Sequence, residues 1–439
     1  MVAYHFPPLT GSSGIQRTLR FVRYLPKFGW GPLVLTAQVR AYEPIGSAER
    51  DAIPAATVVR RAFALDAARH LALRGRYPRW LATPDRWVSW YLGGVVTGLA
   101  MVRRYRPEVI WSSFPIATAH MIAGTLARLT GLPWIADCRD PMVQADYPPD
   151  PAQKRALRRI EKMVYQRAGK IVFTTPGAAR LFRERYAGAE ADTEAEAARV
   201  CVIENGYDEE TFAHAEGIGR AAPSAESERA GEAPGSERRF VLLHSGIVYP
   251  SERDPHALFG ALSSLKTKGI LTSENFCLRL RASAHDAWLA EQVAKHDIAD
   301  VVAVEPPLPY HEALAEMLNS DGLLIMQAGN CNQQIPAKLY EYLRARKPIL
   351  GLTDPCGDTA EALRAVGVGS IARLDAQNEI EDVLAEFIGR VRAGTEPLPP
   401  EEQVAACSRE SRTASLARLL NHAASVAICC HLGMAAVVR

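Results

Sequence analysis

The residues best placed to bind an anion lie in a stretch of the chain between residues 322 and 352. The apolar run 322–326 predicts a buried strand, followed by a polar loop and a helix expected to begin at Pro336. Unpaired N–H groups at the start of such a helix can bind phosphate, and Lys338 adds a cation one turn in. Glu341, one turn further along, is placed to bind sugar hydroxyl groups. The alternative is an ordinary strand–helix–strand crossover in which Lys338 and Glu341 are solvated.

Two further groups of residues follow predicted strands. Gly11 and Gly14 lie between a short first strand and a helix, where glycine lets a backbone approach phosphate closely. Asp137 and Asp140 follow a buried strand expected at 133–137. The carboxyl ends of parallel strands are where α/β proteins bind ligands. The alternatives are a plain turn for the glycines, and a helix cap with a local salt bridge for the acids.

These residues require a sheet of parallel strands to position them. In both halves of the chain, short apolar runs alternate with segments whose apolar residues recur at helical spacing. This alternation predicts an α/β fold with doubly wound parallel sheets. The strands expected in the second half are 240–245, 276–281, 301–305, 322–326, 348–352 and 368–372. Between the halves, residues 216–237 are rich in Ala, Gly, Ser, Glu and Pro, a composition that predicts a disordered linker.

The totals describe an ordinary globular protein of two or three domains. The chain has 439 residues, 48% hydrophobic and 23% charged, and its net charge of +2 gives no reason to expect a nucleic-acid partner. The eight cysteines are scattered without zinc-site spacing, which favours a reducing cytosol. No signal-peptide pattern is visible. The apolar stretches 92–102 and 423–438 are shorter than the roughly 20 residues that a membrane-spanning helix needs.

Residues 60–107 are basic and aromatic. Ten arginines in this stretch are interleaved with Trp80, Trp87, Trp90 and Tyr91. Arginine with tryptophan on amphipathic helices is typical of proteins that lie on an anionic membrane surface. A predicted basic helix at 153–167 is a second candidate for the same role. The alternative for both is a solvated basic face over a core that contains the aromatic residues.

Four spaced motifs together resemble the family 4 glycosyltransferases, which retain anomeric configuration and have the GT-B fold of two Rossmann-like domains. The first motif is the strand, Gly-rich loop and helix of residues 1–36. The second is the segment 131–141, which contains Asp137 and Asp140, and the third is 204–212, which ends the first domain. The fourth comprises the 246–255 loop and the 333–341 helix start. The resemblance covers nearly the whole chain outside the linker and the C-terminal tail.

The resemblance implies roles for the donor-side residues. Gly246 begins the first donor loop, and Arg253 meets the donor diphosphate together with Lys338. Glu341 matches the second acid of the family's donor motif, which binds the nucleotide ribose. The first acid of that motif is replaced by Gln333, which can hydrogen-bond a sugar hydroxyl group but carries no charge.

The resemblance also implies roles for residues in the first half. Gly11 and Gly14 lie over the donor diphosphate. Asp137 positions the acceptor hydroxyl group, with Asp140 as the second candidate for that role. No Asp-x-Asp pair is present, so we expect no essential metal and no cofactor. The cations would then neutralise the charge of the leaving group.

The expected domains are 1–212 for the acceptor and 239–410 for the nucleotide sugar, joined by a linker at 213–238. Residues 411–439 are expected to pack back toward the first domain as a helix and tail. The expected function is transfer of a hexose from a UDP- or GDP-sugar, bound in the interdomain cleft, to a glycan or lipid-linked acceptor in polysaccharide or glycoconjugate synthesis. The expected location is the cytoplasm, peripheral on the inner face of the membrane. Two alternatives are a sugar-nucleotide epimerase of the same fold and a catalytically inactive sugar-nucleotide-binding subunit.

Overall fold

The computed structural model describes residues 1–11, 13–46, 52–144, 147–188, 193–221 and 238–437. The chain forms two compact units. The first consists of Met1–Asn205 with Arg409–Arg439, and the second of Gly206–Ser408. The first unit's main segment ends at Asn205, seven residues before residue 212, where the sequence predicted the end of the first domain.

A parallel sheet forms the centre of the first unit. Among the described residues its strands are β1 (Val2–Ala3), β2 (Leu33–Ala37), β3 (Val58–Ala62), β4 (Ile110–Ser113), β5 (Trp134–Arg139), β6 (Lys170–Phe173) and β7 (Val200–Val202). The strand order is β3-β2-β1-β4-β5-β6-β7, and every pair is parallel. The helices are α1 (Ser13–Tyr24), α2 (Ala67–His70), α3 (Trp90–Tyr105), α4 (Ala117–Thr130), α5 (Pro151–Arg167), α6 (Pro176–Ala187) and α7 (Glu194–Arg199).

Side chains on both faces of this sheet are buried, as a parallel sheet covered by helices requires. Ile110 and Trp134 pack with α3, α4 and α5 on one face. Trp111 packs on the other face, where its ring meets Phe21 of α1 edge-on with 5.8 Å between ring centroids. Strand β1, the short first strand expected from the sequence, is only two residues long, because the chain leaves the sheet after Ala3 and enters the proline-containing loop that precedes Gly11.

The second unit is built on another parallel sheet. Its strands are β8 (Phe240–Ser245), β9 (Phe276–Arg281), β10 (Val302–Glu305), β11 (Gly322–Gln327), β12 (Ile349–Thr353) and β13 (Ile371–Ala372). Their order is β10-β9-β8-β11-β12-β13, again parallel throughout. The helices are α8 (Glu209–Ala221), α9 (His256–Thr267), α10 (Asp286–Lys295), α11 (Tyr310–Asn319), α12 (Lys338–Ala345), α13 (Asp358–Ala365), α14 (Gln377–Arg392) and α15 (Glu401–Ala406). The two sheets confirm the doubly wound α/β class predicted from the sequence.

The expected linker begins later than the composition suggested. Helix α8 continues to Ala221 and packs against α11, so residues 213–221 are helical rather than disordered. The guanidinium of Arg344 contacts Glu209 at 2.5 Å and Glu216 at 2.9 Å. These two acids are seven residues apart and lie on one face of α8. These ion pairs add to the packing that keeps the helix in place. Residues 222–237, the rest of the expected linker, lie outside the described residues.

The C-terminal helix α16 (Arg409–Val437) belongs to the first unit. Leu416 and Leu420 are buried against the sheet face that carries α1. A salt bridge of 2.8 Å joins Lys27 to Glu410, and the Trp30 indole N–H donates to Asn421 at 2.9 Å. The helix is longer than the expected 412–424. Among the described residues, no helix is long and apolar enough to cross a membrane.

Candidate functional site

The strand order of the second unit defines where a ligand can bind. Strand β8 pairs with β9 on one side and β11 on the other, so the chain winds away from β8 in both directions. At such a switch point the carboxyl ends of the two central strands open a crevice between their following loops. Gly246 follows β8 directly, and α12 with Lys338 follows the loop after β11. The sheet therefore brings the two predicted donor loops to one place.

Lys338 reaches into this crevice and is held by His244 at the end of β8. Its Nζ lies 3.0 Å from Nε2 of His244. Gly246 has a φ of +128° and leaves the space that the lysine occupies, because a Cβ added there would lie 2.6 Å from Nζ. An alanine at position 246 would collide with the lysine end and would adopt a backbone conformation that favours glycine. The glycine is therefore required by the position of Lys338.

The hydrogen bonds of His244 fix its tautomer. The side chain is fully buried, and its Nδ1 lies 2.9 Å from the carbonyl oxygen of Leu324. Because a carbonyl oxygen only accepts, Nδ1 carries the proton and Nε2 accepts from the Lys338 ammonium. Burial, with the charge of Lys338, lowers the pKa of His244 well below its usual value. The imidazole is therefore neutral and acts as the acceptor that anchors the lysine.

Arg253 supplies a second cation to the same loop. Its Nη1 donates to the carbonyl oxygen of Ile247 at 2.7 Å, and its guanidinium lies over the Tyr249 ring at 5.4 Å. Asp254, the acid next to Arg253 in the chain, contacts His256 instead. Among the described residues, no carboxylate lies within salt-bridge distance of Arg253.

The two cations influence one another. Burial lowers the pKa of Lys338 well below its usual value, and the positive charge of Arg253 lowers it further, with Glu341 opposing. Like charges held near each other in a partly dry site are unfavourable unless an anion lies between them. The arrangement therefore suits a ligand that carries concentrated negative charge.

The other predicted donor-side residues lie on the same elements. Glu341 is half-buried on α12, and its Oε1 accepts from the Tyr310 hydroxyl at 2.5 Å. Gln333 is half-buried in the loop that precedes α12. That helix begins at Lys338 rather than at the predicted Pro336, although the N–H of Leu339 already bonds the carbonyl of Pro336 at 2.9 Å. Tyr310 was not found from the sequence; its place just after β10 was the available signal.

In the first unit, the Gly-rich loop lies against a buried arginine. A Cβ added to Gly14 would lie 2.5 Å from Nη1 of Arg139 and 2.8 Å from Nδ1 of His5. Gly11 has a φ of +78° and is exposed at the turn of the loop. The main chain of the loop is fixed by a hydrogen bond of 3.1 Å from the Thr10 N–H to the carbonyl of Pro44. The loop therefore brings backbone, His5 and Arg139 together at the carboxyl edge of the sheet.

The role expected for Asp137 is not compatible with its surroundings. Asp137 is fully buried, and Arg17 of α1 holds both of its carboxylate oxygens at 2.9 Å. Ser113 donates to the same carboxylate at 3.3 Å. Arg17 also donates to the carbonyls of Ile203 and Glu204 at 2.9 and 3.1 Å. A carboxylate enclosed in this way cannot reach an acceptor hydroxyl group, so its role is to tie α1 to the strand ends.

Asp140, the second candidate, remains near the surface. It is half-buried, and Thr174 lies 3.3 Å from its Oδ1. Burial raises the pKa of Asp140 above its ordinary value, with Arg139 and Thr174 acting in the opposite direction. Arg139 has a φ of +62°, and the register with β6 shifts between Asp137 and Arg139. This irregularity turns the chain so that Asp137 points inward while Asp140 stays at the edge.

His5 is a site residue that sequence reasoning did not single out, and Arg139 lies between the two acids that it did. Burial, with the charge of Arg139, lowers the pKa of His5 to about 4, so this imidazole is neutral at physiological pH. The signal for both was the same as for the acids, namely a polar side chain directly after a strand. Among the described residues, no group of three or more His, Cys, Asp and Glu side chains is arranged to hold a metal ion.

Part of the first unit matches a model of a known protein family. Residues 13–206 match the family model described as a glycosyl transferase 4-like domain. A search of curated protein sequences found no match.

Solved structures resemble the chain over nearly its full length. Anabaena HepE in complex with UDP is 13% identical over 97% of this chain and 98% of that one, with a TM-score of 0.58. A trehalose-phosphate synthase (UDP-forming) from Burkholderia vietnamiensis is 11% identical over 97% and 98%, with a TM-score of 0.63. Sucrose-phosphate synthase from Thermosynechococcus elongatus is 14% identical over 99% of both chains, with a TM-score of 0.56. At these identities the likeness shows the fold, which is the one expected from the sequence.

Proposed function

We propose that the chain is a glycosyltransferase that transfers a hexose from a UDP-sugar with retention of configuration. The match of residues 13–206 to a glycosyl transferase 4-like domain and the GT-B fold support this proposal. We place UDP-sugars first among the candidate donors because the HepE structures hold UDP or UDP-glucose. GDP-sugars remain the second choice. The donor binds at the switch point between β8 and β11.

The single observation that supports the donor site is the pair of cations at that point. Arg253 and Lys338 influence one another electrostatically, and Lys338 is fixed by His244 and Gly246. A nucleoside diphosphate carries the compact negative charge that would stabilise both cations. Glu341 is placed on the same helix to accept hydrogen bonds from ribose hydroxyl groups, in exchange for its bond from Tyr310.

The proposed reaction exchanges one C–O bond for another. The bond between the anomeric carbon and the diphosphate oxygen breaks, and the leaving oxygen takes both electrons. The acceptor oxygen forms the new bond to the same carbon and releases its proton to the departing diphosphate. Arg253 and Lys338 stabilise the negative charge that grows on the leaving group, so their effect is larger in the transition state than in the ground state.

We assign acceptor binding to the first unit. Gly14, His5 and Arg139 lie together at the carboxyl edge of its sheet, and Asp140, next to Arg139 in the chain, replaces Asp137 as the candidate for positioning the acceptor. Gly11 and Gly14 keep their expected place over the donor diphosphate. The acceptor is a glycan or a lipid-linked sugar, and the reaction belongs to polysaccharide or glycoconjugate synthesis. Its place in the cell is the cytoplasm, on the inner face of the membrane.

The test begins with binding and continues to turnover. A thermal-shift panel of UDP, GDP, ADP and their sugars identifies the base, because a ligand that binds the native state raises the melting temperature. Donors that bind are then incubated with and without candidate acceptors, and products are separated. Glycoside formed only with acceptor supports transfer. An epimerised donor formed without acceptor identifies an epimerase, and binding with neither product identifies an inactive binding subunit.

A further inference from the structure

Helix α3 has an unusual outward face. Its inward residues Gly94 and Gly98 lie against Ile122 and Leu126 of α4, where an added Cβ would come within 2.4 and 2.6 Å of those side chains. On the opposite face, Leu92 is 73% exposed and Val96, one turn later, is 70% exposed. A helix on the surface of a soluble unit normally carries polar residues on its outward face. The outward face of α3 is apolar at its start and basic only at Arg103 and Arg104.

The segment that leads into α3 exposes three more large apolar side chains. Phe63 is 47% exposed and lies under Gly93, whose added Cβ would be 2.8 Å from the Phe63 carbonyl oxygen. Leu73 and Trp80 are 80% and 72% exposed. By contrast, Trp87 and Trp90 pack on Tyr4, as the alternative interpretation of an aromatic core under a basic face predicted. The exposed set differs from the aromatic residues noticed in the sequence.

The same segment is rich in arginines that have no acidic partner. Among the described residues, no carboxylate forms a salt bridge with Arg60, Arg74, Arg76, Arg79, Arg103, Arg104 or Arg106. The acids of the segment are used internally: Asp66 pairs with Arg86 and caps α2, while Asp85 accepts from Thr118. Within the part of the chain that the structure describes, these seven arginines therefore carry positive charge that no ion pair compensates.

We propose that the outward face of α3 at Leu92 and Val96, together with the exposed side chains and arginines of the segment that leads into it, docks the protein on an anionic lipid bilayer. Apolar side chains enter the headgroup region while arginines contact lipid phosphates, which is how interfacial segments bind. A bilayer fits better than a protein partner because the charge is of one sign and spread along 47 residues, from 60 to 106.

The location of the surface links it to the proposed acceptor. The segment leaves the carboxyl end of β3, the edge of the sheet that carries the Gly11–Gly14 loop. Arg69 of α2 bonds the carbonyl of Tyr42 at 3.0 Å, and residues 44–46 bond the loop at Pro8 and Thr10. Resting on the proposed function, this continuity implies an acceptor that is presented from the bilayer, such as a lipid-linked sugar.

The basic helix α5 provides a contrast. Its apolar residues Leu157, Ile160 and Val164 are buried, and none of the exposed large hydrophobic side chains of the described residues lies on this helix. It is therefore a solvated basic face, as the alternative interpretation of the sequence had it. Substitutions there test whether charge alone produces binding.

The experiment measures co-sedimentation of the full chain with vesicles. Pure phosphatidylcholine is compared with phosphatidylcholine that contains phosphatidylglycerol, at low and high salt. We expect binding only to the anionic vesicles, weakened by salt. Leu92→Ser with Val96→Ser should lower the binding constant about 10-fold or more, since two apolar side chains no longer enter the lipid. Arg103→Gln with Arg104→Gln should lower it and reduce its salt dependence.

Matched controls make the result decisive. Leu129→Ser replaces a side chain that is 55% exposed at the end of α4, and Arg155→Gln with Arg158→Gln lowers the charge of α5 by the same amount. Binding that is equal for both vesicle types, or that responds to the control variants as much as to the α3 variants, overturns the proposal. So does a concentration-dependent dimer that the α3 variants abolish in the absence of vesicle binding. Because the readout is binding, failure of the transfer assay leaves this result unaffected.

Discussion

The ammonium of Lys338 lies 3.0 Å from Nε2 of His244, a neutral imidazole whose other nitrogen is bound 2.9 Å from the Leu324 carbonyl. The lysine therefore has an acceptor that is fixed to the sheet rather than a mobile partner in solvent. This relationship turns a flexible side chain into a positioned cation. Substitutions of His244 test this positioning without changing Lys338 itself.

We expect His244→Leu to lower turnover by about 10-fold or more, the effect of losing a hydrogen bond to a charged group. His244→Gln should retain most of the activity, because its amide can accept from Lys338 and donate to Leu324. Steady-state kinetics give kcat and the donor KM for each variant. His120→Leu is the control: His120 is equally buried but lies in the first unit, bonded to Ser112. Equal turnover in His244→Leu and the parent would remove the positioning role.

The affinity for UDP should decrease as the pH rises. The decrease should begin at a lower pH than it would if Lys338 had the pKa of an ordinary lysine. Burial and Arg253 lower the pKa of Lys338, so the free protein loses this positive charge as the pH rises through that lowered value. The facing groups are His244 on β8, Arg253 after β8 and Glu341 on α12 itself; the first is neutral and the second stays charged. Below the lowered pKa, the ammonium is present and binding is strong.

Titration calorimetry between pH 7 and 10 measures this loss. Lys338→Arg keeps its charge throughout the range and should bind with an affinity that is independent of pH. Comparing the two proteins in the same buffers removes any contribution from the diphosphate. An alkaline loss of the same size in both would show that another group is responsible.

Much of the second unit could be predicted from the sequence because its signals are local. Each strand is a short apolar run, and Gly246, Arg253, Lys338 and Glu341 all follow strand ends that a doubly wound sheet brings to one edge. The position of Lys338 against Gly246 could not be predicted, since it depends on the side-chain conformation that His244 selects.

The first unit shows what the sequence could not provide. Asp137 and Asp140 have the same local pattern, yet one is buried and the other lies at the edge. The difference depends on Arg17, which is 120 residues away in the chain, and on the turn at Arg139. The composition of 213–221 likewise suggested a linker, because the ion pairs of Arg344 with α8 are long-range contacts.

Removing either diphosphate cation should have a large effect on turnover. We expect Arg253→Ala and Lys338→Ala each to lower kcat by roughly 10²-fold, the scale for losing one group that stabilises transition-state charge. Glu341→Gln should chiefly weaken the binding of the nucleoside part. Kinetics and UDP affinity are measured for all three variants, with circular dichroism to confirm folding. Parent-like turnover in folded Arg253→Ala and Lys338→Ala would place the donor elsewhere.

Asp137→Ala should lower the free energy of unfolding of the first unit, because the role of Asp137 is structural rather than catalytic. The change leaves the Arg17 guanidinium buried without its carboxylate, which typically costs about 3–5 kcal/mol. Six of the seven tryptophans, all except Trp288, lie in the first unit, so fluorescence during urea unfolding reports mainly on that unit.

The exposed pair Lys27–Glu410 provides the matched control, because its side chains are 54% and 45% exposed. Glu410→Gln should cost less than about 1 kcal/mol. Folded Asp137→Ala should still bind UDP with parent affinity, since the proposed donor residues are in the second unit. A variant with parent stability and lost turnover would instead return Asp137 to the reaction, and the buried Arg17 contact would have to open when the acceptor binds.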